Sequence, residues 1–181
     1  YIRGRWRVYL GTGSKVLTYL TKRLISIFLI ILILLMATFI AYDCANIYVI
    51  LEEGMGMRAE TVLTNKEAPL LDKFFTQHCI DTDNLLNSNR YRDYIITDYD
   101  YNIKMKKVWA WPWSRRTKVT IQEIVKDISG DLLSSESEGE ATSKVPIPKW
   151  ENGEKIVELK KINRRWIIDE ITLKRPLEEF D

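Results

Sequence analysis

An α+β fold behind one N-terminal transmembrane helix is what this sequence predicts, on three observations. The first is Leu24–Tyr42, LISIFLIILILLMATFIAY, a run without a charged residue. The second is an apolar period near 3.6 residues that continues after this run. The third is a change to a period of 2 from Asp93 onward, closing with tight-turn signals. Two to three helices thus precede a curved antiparallel sheet, and one layer packs on the other.

At about 1.5 Å per residue, a helix over residues 24–42 nearly crosses a hydrocarbon core of ~30 Å. Ser26 and Thr38 can bond carbonyls one turn back, and Tyr42 stands where an interfacial aromatic belongs. The run is longer than a signal-peptide core, and Ala41-Tyr42-Asp43-Cys44 is a poor lipoprotein cleavage site, so a retained anchor is expected. The arm 1–23 holds Arg3, Arg5, Arg7, Lys15, Lys22 and Arg23 and no acid, whereas Asp43, Glu52 and Glu53 follow the run. The positive-inside rule then predicts a cytoplasmic N-terminus and an extracytoplasmic C-terminal domain. The chain is +2 overall, so the residues after the arm carry −4. The basic balance belongs to the arm, and no nucleic-acid partner is expected.

After Tyr42 the helical period runs on through Ile47, Ile50, Leu51, Met55, Arg58, Ala59 and Val62, crossing Gly54 and Gly56. The glycines mark either a kink or a close approach of a neighbour. Thr64–Glu67 is a helix-start signal, and Leu70, Leu71, Phe74, Phe75 and Cys79 form the apolar face of the next helix. Asp81–Asn84 ends it, and a short third helix is expected at Leu85–Leu86. From Asp93, alternation places Tyr99, Tyr101, Ile103, Met105, Trp109 and Trp111 on one strand face, and Asp98, Asp100, Asn102, Lys104 and Lys106 on the other. Pro112–Arg116 turns the chain into a return strand to about Ile128. The polar, acidic segment 134–144 reads as an exposed loop, and Glu151–Glu154 as a tight turn. Ile156–Ile162 and Trp166–Leu173 are strands joined at Asn163-Arg164, followed by an acidic tail, 174–181.

The ending KIVELKKINRRWIIDEITL, residues 155–173, with Trp166, Ile168 and Ile171 as W-x-I-x-x-I, resembles that of the NTF2-like superfamily. The resemblance covers about residues 46–173 and implies a cone-shaped domain, helices against a bent sheet. With a short arm and one span ahead of it, the layout is similar to the VirB8 and TcpC families. Those are scaffold subunits of type IV secretion and conjugation machines. The likeness rests on architecture, and no functional residues carry over from it.

Candidate chemistry is sparse. His78 is the lone histidine and adjoins Cys79, without the ligands of a metal site, so no metal or cofactor is expected. Gly11–Lys15 lacks phosphate-loop spacing. Asp98 and Asp100 alternate with Tyr99 and Tyr101, which separates the acids from the phenols of an isomerase-like pair. No enzyme is therefore expected. Cys44 and Cys79 are too few for a disulfide scaffold, and their pairing stays open.

The unusual soluble segment is Trp109, Trp111 and Trp113 with Arg115 and Arg116. The bland reading buries Trp109 and Trp111 in the core. The sharper one makes the segment a contact for a partner subunit or the bilayer, since Trp and Arg are enriched in both. Arg3, Arg5, Arg7, Lys22 and Arg23 are candidate contacts for anionic lipid. The expected function is a non-catalytic, membrane-anchored scaffold of a larger envelope complex, VirB8-like, with other membrane-complex subunits, the bilayer and a second copy of the chain as partners. Two alternatives stand beside it: a cone holding a lipid or small hydrophobic ligand, and an accessory subunit of a respiratory or photosynthetic complex.

Overall fold

The computed structural model describes the backbone of residues 6–65, 70–133 and 146–177, with side chains from residue 17 onward. The arm residues Arg3 and Arg5, the side chain of Arg7, Lys66 and Glu67 of the helix signal and the acidic segment 134–144 lie outside the described residues. The layout is α+β. Helix α1, Trp6–Thr64, is followed by α2, Leu71–Phe74, and α3, Gln77–Thr82. Strands β1, Tyr94–Met105, β2, Arg116–Leu132, β3, Gly153–Ile162, and β4, Arg165–Pro176, follow among the described residues. The sheet is antiparallel and open, in the order β1-β2-β3-β4. The chain divides into two units, Tyr1–Tyr42 and Asp43–Asp181.

Residues 6–42 of the first unit are helical, and among the described residues one helix is long and apolar enough to cross a membrane. Nearly all its described side chains are exposed, Leu24, Phe28, Ile33 and Leu34 among them. Water would charge heavily for such a surface, about 25 cal/mol per Å² of apolar area, and a bilayer removes that cost. Thr38 donates to the Leu34 carbonyl at 2.9 Å, so its hydroxyl is satisfied within the helix.

In the second unit, Ile47, Leu51 and Met55 of α1 pack with Phe74, Phe75 and Cys79 against Val119, Ile121, Val157, Leu159, Trp166 and Ile168 of the sheet. A second cluster joins Ala59, Val62 and Leu63 to Leu85, Tyr91, Val125 and Trp150. The helix passes Gly54 and Gly56 without a break. A Cβ on Gly54 would stand 3.1 Å from Phe74 Cβ and 3.2 Å from Ile168 Cδ1, whereas one on Gly56 would meet Tyr101 at 3.9 Å. Gly54 is the close approach and Gly56 is merely unfilled. Gly56→Ala should therefore stabilise the unit by about 0.5–1 kcal/mol through helix propensity. Gly54→Leu should destabilise it by about 1–3 kcal/mol through overpacking. Denaturant unfolding of the two variants checks both signs.

Four expectations are corrected. The helix over Leu70–Cys79 is two short ones, because Phe75 leaves the helix to bridge Ile168 and the Thr76 amide donates to the Ile168 carbonyl at 2.8 Å. Residues 84–87 form hydrogen-bonded turns instead of a third helix. No tight turn forms at Glu151–Glu154. Instead the Asn152 side chain accepts from the Val125 amide at 2.7 Å and donates to the Val125 carbonyl at 3.1 Å, and Gly153 already opens β3. A side chain at 153 would strike the Arg175 carbonyl and the Leu173 side chain, both at 2.7 Å. The fourth correction concerns the tryptophans. Strand β1 ends at Met105, and the Lys106 amide makes the last ladder bond, to Thr120, at 2.9 Å. Beyond it Ala110, not Trp109 or Trp111, enters the core. The turn at Asn163-Arg164 has φ of 48° and 66°, the two positive values of a two-residue type I′ hairpin.

Candidate functional site

Two places in the second unit concentrate chemistry. The first is interior. Glu123 takes its buried position from β2, where it shares a face with Val119, Ile121 and Val125. Lys155 shares a face of β3 with Val157 and Leu159. Their side chains form a buried ion pair. Arg58 arrives from α1 and forks onto Asp83, one of its bonds measuring 2.9 Å. It also stands 3.7 Å from Glu123 Oε1 through Nη1. Trp150 Nε1 and the Tyr101 hydroxyl each reach a Glu123 oxygen at 3.4 Å. The cations lie near the Trp150 ring, Arg58 at 6.0 Å and Lys155 at 5.9 Å from its centroid.

Two cations thus face two anions away from water. Burial disfavours the Asp83 carboxylate. The Arg58 guanidinium and the Leu85 and Leu86 amides outweigh that and hold its pKa below the usual carboxylate range. Burial, with Glu123 beside it, pushes the Tyr101 phenol up. A cavity of about 200 Å³ adjoins the cluster, lined by Arg58, Thr82, Asp83, Asn84, Glu151 and Lys155 among others. The carboxylate oxygens of Glu123 point to protein partners, an arrangement suited to holding strands to a helix. Sequence reasoning did not single out Glu123, Lys155 or Trp150. Among the described residues no group of three His, Cys, Asp or Glu is placed to hold a metal.

The second place is the end of the unit at which it begins. Asp43 is buried, takes two contacts from Lys161 Nζ at 2.8 and 2.9 Å, and accepts from Trp166 Nε1 at 3.2 Å. Cys44 Sγ lies 3.7 Å from the Val108 carbonyl. The Lys161 amide donates to the Arg115 carbonyl at 2.8 Å. The β1–β2 connection and the β3–β4 turn therefore both close around the first residues of the unit.

The tryptophans stand on this connection. Trp109 is 45 %, Trp111 45 % and Trp113 68 % exposed. Trp109 meets Trp111 edge-on at 5.5 Å, and Trp111 stacks on Trp113 at 5.2 Å and 15°. Lys107 Nζ lies 5.7 Å from the Trp109 ring centroid. Arg115, and Arg116 at the start of β2, are exposed after them, so the five predicted contact residues follow one another along the chain at this end of the unit. Lys22 and Arg23 are exposed on α1 in the first unit. His78 is exposed on α3, and both cysteines are free thiols. Compared with known proteins, the chain matches no family model, no curated protein and no solved structure.

Proposed function

We propose that this chain is a single-span membrane protein whose α+β unit serves as a non-catalytic subunit of a larger membrane assembly. Its arm lies in the cytoplasm and its unit outside. One observation carries the reading: no spacer separates the apolar segment from the folded unit. Tyr42 ends the first, and Asp43, the next residue, is already buried and bonded to Lys161 and Trp166. A domain fastened so closely is confined to a thin layer at the membrane, where its effective concentration for other membrane proteins reaches roughly the millimolar range.

The interior supports a subunit over a carrier of apolar ligands, because paired charges and Trp150 occupy the space between α1 and the sheet. The order of helices before a sheet fits the NTF2-like cone, and a VirB8-like component of a secretion or conjugation apparatus is the assembly that resemblance favours. The surface offered to a protein partner is the outer edge of β1, the first strand of the sheet order, whose backbone groups can accept another strand.

Asn102 is exposed in the second half of β1 and reports on both claims. In a Cys44→Ser background, Asn102→Cys gives a single accessible thiol. Cys79 is buried, and burial together with the nearby Asp83 charge pushes its thiol pKa up to about 12. In sealed cells a membrane-impermeant maleimide should label residue 102 before lysis. A maleimide photo-crosslinker placed there should capture a discrete membrane protein. Labelling only after lysis would invert the orientation, and lipid adducts alone would overturn the subunit reading.

A further inference from the structure

We infer that the tryptophan ladder and the cations around it form a footing that lies in a headgroup layer of anionic phospholipid. The inference rests on the single-span reading and adds what that end of the unit binds. Position comes first. Val108 touches Cys44, while Lys161 and Trp166 bond Asp43. These are the two residues that follow Tyr42, so this end lies within a few side chains of the point where the chain enters its apolar segment.

Charge comes second. Segments 106–116 and 160–165 close this end and contain eight Lys and Arg and no Asp or Glu. Lys106 pairs with Glu154 and Lys161 with Asp43. Lys107, Arg115, Arg116, Lys160, Arg164 and Arg165 have no ion pair among the described residues. The residues after the arm carry a net −4, so this cationic end stands out against an acidic body. Such clusters beside a membrane segment attract anionic lipid.

Side-chain chemistry comes third. Three half- to two-thirds-exposed indoles in mutual contact are costly in water and favoured at the membrane interface, where the ring is buried and the N–H is hydrated. Backbone conformation agrees. Arg164 holds φ 66° in a turn position where glycine is the stable residue. A cation is kept at the tip of the β3–β4 turn against local backbone preference.

The test uses the full chain carrying Trp6→Phe, reconstituted into vesicles of phosphatidylcholine alone or mixed with phosphatidylglycerol. Co-flotation with vesicles reports the span. Quenching by lipids brominated near the carbonyl region, against quenching by aqueous iodide, reports the ladder. With phosphatidylglycerol present, emission should shift to the blue, brominated lipid should quench it, and iodide should lose most of its effect. Trp150 and Trp166, both buried, supply a constant background. Changing Trp109, Trp111 and Trp113 to Phe should remove the lipid quenching. Changing Lys107, Arg115, Arg116, Arg164 and Arg165 to Gln should erase the difference between the two vesicles. The comparison of lipids on the chain without these changes needs none of these variants to fold. A chain that floats while iodide still reaches its ladder in both lipids overturns the footing and leaves the span standing; that result would hand the ladder to a protein partner. A chain that fails to float overturns the single-span reading itself.

Discussion

Lys155→Met is expected to destabilise the globular unit by about 3–5 kcal/mol, because it strands Glu123 as a buried charge short of its closest partner. Arg58 cannot replace the lost amine. Two of its nitrogens are committed to Asp83, and Nη1 stands 3.7 Å from Glu123 without a hydrogen bond. Met has nearly the volume of the Lys stem, so little of the loss would come from a cavity. The double change Glu123→Leu with Lys155→Met removes the charges together and should recover a large part of the deficit. Recovery should stop short of full, because the Trp150 N–H and the Tyr101 hydroxyl then lose their acceptor at about 1–3 kcal/mol each. Urea unfolding of the full chain in detergent, followed by tryptophan emission, separates these outcomes. A single variant as stable as the original chain would mean that water reaches the pair.

The coarse fold was legible in this sequence because its signals are local. The uncharged run 24–42, the helical period to Val62 and the two-residue turn at Asn163-Arg164 each depend on neighbours a few residues away. The errors fall where distant partners decide. Nothing near Phe75 says that its backbone will bridge Ile168, and nothing near Asn152 says that its amide will bond both backbone groups of Val125. Trp109 and Trp111 followed the parity of β1 on paper. That parity lapsed once the ladder ended at Lys106 and the small Ala110 took the core position.

The interior charges, too, leave a local signal in the sequence. Glu123 occupies the inward parity of Val119-x-Ile121-x-Glu123-x-Val125, and Lys155 that of Lys155-x-Val157-x-Leu159. A charge at a buried parity on each of two strands that pair in register is a signal for a buried ion pair. The strands pair with Gln122 opposite Glu154 and Glu123 opposite Gly153, which brings Lys155 within reach of Glu123 on the same face. The footing at the other end was only half legible. Its tryptophans and two arginines are contiguous in sequence, but Arg164, Arg165 and the Asp43 junction join them through the sheet.

Trp166→Ala should cost about 3–5 kcal/mol, the usual range for removing a buried aromatic ring. Trp166 is 2 % exposed and lies in the main core with Ile47, Phe75 and Ile168. Its N–H bonds Asp43, and the Lys161 amine lies 5.1 Å from its ring centroid, so the same residue joins β4 to the first turn after the apolar segment. Trp166→Phe keeps much of the ring and gives up the hydrogen bond. Asp43 retains both contacts from Lys161, so that loss alone should be near 1 kcal/mol, plus the smaller volume. Ile167→Ala is the control for strand register. Ile167 is half-buried on the opposite face, so its truncation should cost well under half as much as that of Trp166. A one-residue slip of β4 would reverse the two results, since every side chain would change face. Small effects from both changes would place neither residue in the core, and Asp43 would lose a buried partner in Trp166.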